Sequence, residues 1–473
     1  MPSYRRRGML VGMAKPLAKF ITRRDLLQVG SLGLVALGLP ELLQARQAAA
    51  AEGRSKRGIS CLFIVQYGGA SHLDTFDPKP AAPEEIRGPY APIATNVPGM
   101  QLTDMLPRLA RIADCFTLVR SMTHGTSDHN GGMHVCMTGH SKPTERTPYF
   151  GSIAAKLRPA THSVPPYVWL QNLAGDVVPW YLNGGVLGAA FGPWVIGKDE
   201  TNAAQPEFRV CDFDPPDGLD PRRQAGQSEL LNQLSTLSGS RYQSPPTDEY
   251  RQFQRQAFDL VTGEQARQAF DLAQEPDAIR DRYGRHALGQ NLLLARRLVE
   301  AGVRLVTVNA WCGRASTDDV LATQGWDHHG AAIQKCGIFD KGTFSLGFVL
   351  PRFDEALSAL LEDLRQRGLL ETTLVVVVGE FGRTPKIASN PYPGRDHWPQ
   401  CYSALMAGAG IGGGAVYGGS DKHGAFVAGR PVSPEDFGAT VFHALGIPHD
   451  TQFGPDGFSL RVSDGEPVLE LFG

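Results

Sequence analysis

The chain carries no excess of charge of either sign. Its 46 Lys and Arg stand against 48 Asp and Glu, a formal net charge of −2 over 473 residues. That balance gives no electrostatic footprint for a nucleic acid or an anionic membrane surface. Cysteine is scarce as well: seven residues lie scattered at 61, 115, 136, 211, 312, 336 and 401. No Cys-x-x-Cys spacing occurs, which excludes a zinc knuckle and a thioredoxin-type redox motif, and the odd count leaves at least one thiol free even if the chain is oxidised. There is no internal repeat, so a solenoid is excluded. Low-complexity sequence is absent apart from the glycines near 409–414. Past the first 50 residues no apolar run is long enough to span a bilayer.

What is present describes a globular protein, with 42% hydrophobic and 20% charged residues. The N-terminal stretch Thr22-Arg-Arg-Asp-Leu-Leu-Gln28 pairs two arginines with apolar residues. An apolar, Gly-rich run follows at 29–43, then small residues at 48–51. This order resembles a twin-arginine export signal. Residues 1–51 are therefore expected to be a signal peptide read by the twin-arginine translocase. The expected destination is periplasmic or extracellular, with no stable membrane span in the mature chain. Residues 52–473 are expected to form a single domain, with a polar, Pro- and Gln-rich insertion around 202–248.

Strand and helix patterns alternate along the mature chain. Apolar, β-branched runs at 59–66, 116–119, 167–170, 303–309, 373–378 and 402–406 read as strands. Helical spacing is read at 102–115, 131–139, 152–157, 250–273, 285–301, 348–368 and 434–445. This alternation predicts an α/β fold, a doubly wound, mainly parallel sheet with helices on both faces. The run Thr373-Leu-Val-Val-Val-Val-Gly-Glu-Phe-Gly-Arg383 is its expected central parallel strand, ending in a loop that carries a carboxylate.

Four loops follow predicted strands, and each carries ligand-type residues. They hold Ser71, His72, Asp74 and Asp77; His124, Asp128, His129 and His134; Asp327, His328 and His329; and Glu380 and Arg383, with Asp396 and His397 beyond them. In such a sheet the loops at the strands' carboxyl ends converge, and ligands bind there. Clustered carboxylates and imidazoles are what one or two divalent cations require. The candidate ligands are Asp74, Asp327, His329, Glu380, Asp396 and His397, for an ion that is Zn, Mn, Mg or Ca. Arg383 and Arg395 are candidates to hold an oxyanion, with surface salt bridges to Glu380 or Asp396 as the alternative.

The stretch Pro434-Glu-Asp-Phe-Gly-Ala-Thr-Val-Phe-His-Ala-Leu-Gly-Ile-Pro448 resembles the C-terminal helix of the alkaline phosphatase and sulfatase superfamily. His397, with the strand and the Ala407-Gly-Ala-Gly-Ile411 turn after it, resembles that superfamily's late metal-binding histidine. The pieces Gly68-Gly-Ala-Ser-His-Leu-Asp-Thr-Phe-Asp-Pro-Lys-Pro80, Gly379-Glu-Phe-Gly-Arg-Thr-Pro385 and Gly394-Arg-Asp-His-Trp398 are similar to an exported sulfatase-like family of unknown function. The resemblance implies an alkaline phosphatase-like fold and a metal site. Two departures stand out. The Cys-x-Pro-Ser-Arg nucleophile motif of sulfatases does not occur. Glu380-Phe381 stands where the superfamily carries two metal ligands.

Two functions follow as expectations. One is a metal-dependent hydrolase of small or polymeric sulfate or phosphate esters. Ser71, Thr126 or Ser127 would be its nucleophile, or a metal-bound water would attack directly with His129 as general base, and Arg383 or Arg395 would stabilise developing charge. The other is a non-catalytic exported protein of the same fold that binds sulfated or phosphorylated polymers.

Overall fold

The computed structural model describes residues 58–159, 164–173, 184–198, 200–210, 213, 226, 230, 263–316, 324–330, 337–388, 392–454 and 460–473. These lie within one unit, Arg57–Gly473. The expected signal segment and almost all of the polar stretch 214–248 fall outside the described residues. In chain order the main elements begin with strands β1 (Ser60–Val65) and β2 (Thr117–Met122), then helices α1 (His129–Thr138) and α2 (Phe150–Leu157). Strands β3 (Tyr167–Leu170) and β4 (Trp194–Ile196), helix α3 (Ala287–Glu300), strand β5 (Leu305–Asn309) and helix α4 (Leu346–Gln366) follow. After these come strand β6 (Thr373–Val378), the two-residue strands β7 (Gly382–Arg383) and β8 (His397–Trp398), strands β9 (Tyr402–Ala407) and β10 (Ala415–Tyr417), and helix α5 (Pro434–Ala444).

Eight strands form one sheet in the order β10-β2-β9-β6-β1-β5-β3-β4. All adjacent pairs are parallel except the two made by β9. The expected doubly wound, mainly parallel α/β sheet is what the chain forms. β6 is central as expected, but it is parallel only to β1 and runs antiparallel to β9.

All six residues of β1 and of β6 are buried, which is why their sequences are apolar without alternation. Their side chains still alternate in direction and divide between two cores. Leu62, Ile64, Val375 and Val377 pack under α3 and α4 on one face. Cys61, Phe63, Val65, Leu374, Val376 and Val378 pack under α1, α2 and α5 on the other. Burying each such aliphatic side chain contributes about 1.5–3 kcal/mol. Among the described residues the five cysteines at 61, 115, 136, 312 and 401 are free and buried. No described helix is long and apolar enough to cross a membrane.

One sequence expectation is corrected outright. Residues 102–115 do not form one helix. Gln101–Thr103 is a short strand, Pro107–Ala110 a single helical turn, and Ala113–Cys115 a 3₁₀ turn. Pro107 sets a helix start, since its ring cannot be accommodated further inside. The apolar spacing there reflects burial of Leu102, Leu106 and Leu109 against the core rather than one continuous helix.

Topology brings the functional loops to one edge. Strands β1, β2, β5 and β6 share a direction, so the segments 66–77, 123–128, 310–316 and 379–383 leave the same end of the sheet. β9 runs the other way, so the residues before it, His397 among them, sit at that end too. β7 and β8 pair antiparallel, with His397 opposite Arg383 and Trp398 opposite Gly382.

Candidate metal centre

Each ligand-type residue reaches the centre for a local reason. Asp128 caps α1, its carboxylate accepting from the Gly131 N–H at 2.7 Å, which sets His129 at the first helical position. α1 contains two glycines, which cost it helix propensity, about 1 kcal/mol each. At Gly132 the reason is contact: a Cβ would lie 3.1 Å from the Phe381 ring and 3.3 Å from the Glu380 side chain. After β6, Glu380 and Phe381 therefore pack directly on α1. After β5, Trp326 anchors the next loop by donating its indole N–H to the Ala310 carbonyl at 3.0 Å. That loop crosses the first one at Gly68, where a Cβ would lie 2.3 Å from the Asp327 nitrogen. Gly68 thus serves the approach of Asp327, and Gly69 that of Phe381, whose ring lies 2.6 Å from where its Cβ would be.

The result is a cluster of His129, Asp327, His329 and His397. One ligand atom from each lies within 4.8 Å of all the others. Oδ1 of Asp327 is the hub, at 3.5 Å from His129 Nε2, 3.1 Å from His329 Nε2 and 3.6 Å from His397 Nε2. All three rings are tied at the opposite nitrogen. Nδ1 of His129 donates to Glu380 Oε1 at 2.7 Å, Nδ1 of His329 to Asp396 Oδ1 at 3.1 Å, and Nδ1 of His397 to the Ser127 carbonyl at 2.6 Å. An imidazole whose Nδ1 is a donor presents a lone pair at Nε2, the arrangement that metal-binding histidines use. The phenyl ring of Phe381 backs the rings of His397 and His129, with centroids at 4.3 and 5.3 Å.

Charge favours a cation. Three carboxylates, Asp327, Glu380 and Asp396, contact the imidazoles, against one guanidinium, Arg383, whose Nη2 lies 2.7 Å from Asp327 Oδ1. Burial pushes the Asp327 carboxyl up, but the Arg383 charge and the hydrogen bonds from His129 and His397 override it and hold the group well below the usual carboxylate range. Burial alone would lower His129; the Asp327 and Glu380 carboxylates beside it outweigh that and lift it to about 9, so an arriving cation displaces the Nε2 proton. Burial and then the Arg383 charge pull His329 below its ordinary value. The donors fit a metal ion: first-row ions bind imidazole nitrogen at about 2.0–2.1 Å, so tetrahedral donors lie about 3.4 Å apart, close to the 3.1, 3.5 and 3.6 Å from Asp327 Oδ1 to the three Nε2 atoms.

The other candidates stand elsewhere. Glu380 is fully buried and one step back, its Oε1 also accepting from the Gly68 N–H at 2.8 Å. Asp396 is likewise behind His329. Asp74 is not among the clustered ligand atoms. It forms a buried two-point ion pair with Arg395, at 2.7 and 3.1 Å, and accepts from Ser71 Oγ at 2.5 Å. Arg395 further donates to the carbonyls of Ile86, Thr384 and Pro385. Arg383 donates to Gly69, Arg395 and Gly68 carbonyls as well as to Asp327. Both arginines were candidates for an oxyanion and Ser71 for a nucleophile; here their polar atoms join the loops to one another. His129 was read as a general base, and its place among the ligands was not foreseen. Its position just after a capping aspartate was the available signal.

A family model described as "Protein of unknown function (DUF1501)" matches residues 59–472. No curated protein matches the chain. Among solved structures, the PsFucS1 sulfatase from Pseudoalteromonas sp. is 11% identical with a TM-score of 0.35, over 87% of this chain and 72% of that one. The phosphonate monoester hydrolase SpPMH from Silicibacter pomeroyi is 12% identical with a TM-score of 0.38, over 88% and 76%. A protein in the alkaline phosphatase superfamily from Vibrio parahaemolyticus is 10% identical with a TM-score of 0.36, over 83% and 67%. Likeness at this level transfers no residue roles to the chain.

Proposed function

The chain belongs to the family described as Protein of unknown function (DUF1501), and because that family carries no assigned reaction we propose, from the site itself, an exported metal-dependent hydrolase of sulfate or phosphate esters. One observation carries the reading: three imidazole Nε2 atoms and a carboxylate oxygen converge, and every imidazole is fixed from behind by an oxygen acceptor. The ligands are His129, Asp327, His329 and His397. Three nitrogens and one oxygen suit Zn or another first-row transition ion better than Mg or Ca, which favour all-oxygen sites.

Such an ion supplies Lewis-acid polarisation of an ester oxygen and a bound water of lowered pKa. The chain's own residues do the rest. Glu380, Asp396 and the Ser127 carbonyl keep the rings in the tautomer that leaves Nε2 free. Arg383 keeps Asp327 ionised and fixed. Phe381 excludes water from behind the rings. The ester class rests on the sequence resemblance to the alkaline phosphatase and sulfatase superfamily. Export by the twin-arginine route through residues 1–51 belongs to the same reading.

The test is metal analysis of purified protein alongside turnover of aryl sulfate and aryl phosphate esters. Bound metal with turnover, both lost in His397→Ala, is the expected result. Metal-loaded protein that turns over neither ester sinks the hydrolase in favour of a binding protein. Folded protein that takes up no transition metal sinks the centre itself.

A further inference from the structure

A second site lies at the same edge of the sheet, and none of the four clustered residues lines it. It is a cleft of about 570 Å³ beside the loop that follows β5, with Arg285, His286, Trp311, Arg314, Phe348 and Arg352 in its wall. Its wall carries three arginines and one carboxylate, Glu200. Arg285 is bound to Asp277 and Asp281, and Arg314 to Glu200 at 3.1 Å. Arg352 has no carboxylate partner among the described residues. Its guanidinium lies 3.8 Å from the Phe348 ring centroid and donates one hydrogen bond, to the Phe348 carbonyl at 3.1 Å. The wall also includes the N-terminus of the 14-residue helix α3, whose dipole adds partial positive charge.

One further donor in this wall has no acceptor among the described residues: the indole N–H of Trp311, which is 2% exposed. Nε2 of His286 faces Glu355 Oε2 at 3.7 Å, while its Nδ1 caps α3 by accepting from Gly289. Buried donors left without an acceptor are rare in native structures and costly where they occur. An unpaired guanidinium, an unpaired indole N–H and a helix N-terminus in one concave wall are the elements of an anion site.

We propose that this cleft binds an oxyanion group, sulfate, phosphate or carboxylate, carried by an organic ligand, with Arg352 as its charge partner and Trp311 Nε1 as a directed donor. The assignment stands on the cleft alone and needs no metal at the other centre.

The experiment is calorimetric titration of the purified protein with sodium sulfate, sodium phosphate and sodium acetate, which separates the three anion classes. Each titration is run before and after chelator treatment. At least one anion is expected to bind in both states. Arg352→Gln and Trp311→Phe are each expected to weaken it about tenfold, the effect of removing a hydrogen bond to a charged group. His397→Ala leaves the binding unchanged. Trp311→Phe keeps the ring packing, and a melting curve establishes that each variant is folded; if one is not, the other decides. No binding by the unmodified protein, binding that neither folded variant weakens, or binding that chelator abolishes overturns the assignment.

Discussion

Nε2 of His329 lies 2.8 Å from Nε2 of His397. Both rings already spend Nδ1 on other acceptors, Asp396 and the Ser127 carbonyl. Two lone pairs cannot face each other at that distance without a proton or a cation between them. Purified protein is therefore expected to hold about one transition ion per chain, the number one N/O site accommodates. His329→Ala and His397→Ala should each remove it, as read by elemental analysis. Metal at about a hundred times its Kd should add about 2.7 kcal/mol to folding stability, visible as a chelator-sensitive melting temperature.

Glu380 is expected to matter without touching the ion. It holds Nδ1 of His129 and the Gly68 N–H with the same oxygen. Glu380→Gln keeps the shape but removes the negative acceptor that fixes the imidazole tautomer. Losses of this kind lower metal affinity by about 10–100-fold. A competition titration against a chromophoric chelator measures it. Unchanged affinity would place Glu380 outside the metal's support.

Asp74 and Arg395 are both fully buried and paired in two-point geometry. Removing one partner leaves the other as an uncompensated buried charge, which costs about 3–5 kcal/mol. Asp74→Ala should lower the urea midpoint strongly in the metal-free protein. Metal content per folded molecule should not change. The reverse pattern, intact stability with metal lost, would return Asp74 to the metal centre.

The two loci show where sequence reading reached and where it stopped. The pattern of β1, β5 and β6 is legible because strands buried on both faces leave unbroken apolar runs. Convergence of loops from parallel strands was likewise legible, and it gathered Asp327, His329 and His397 across 70 positions of chain. The direction of β9 was not legible, because a buried strand looks the same running either way. Nor was the division of labour among charged residues. Asp74 and Asp327 each meet an arginine, and only the path of the backbone through Gly68 puts one at the cluster. His129 escaped as a candidate ligand because its approach depends on Gly132, a glycine whose use is visible only with Phe381 and Glu380 against it.

Acid sensitivity should come from His286. Burial, and then the Arg352 charge, pull its pKa from 6.5 down to about 4. The sign follows directly. Above the unfolded value of 6.5 both states are neutral and the group contributes nothing. As pH falls from 6.5 toward 4, the unfolded chain binds a proton that the folded chain refuses, so stability is lost across that window. A difference of that size amounts to about 3 kcal/mol at full development. Protonation would also cancel the cap, since Nδ1 accepts from the Gly289 N–H. Asn serves as a cap through its side-chain oxygen and does not titrate in this range. His286→Asn should therefore flatten the curve of stability against pH between 6.5 and 4, measured by urea unfolding at a series of pH values. An equally steep curve in His286→Asn would assign the acid sensitivity to other groups, with His328, which burial and then the Arg383 charge pull down to about 3, the next to replace.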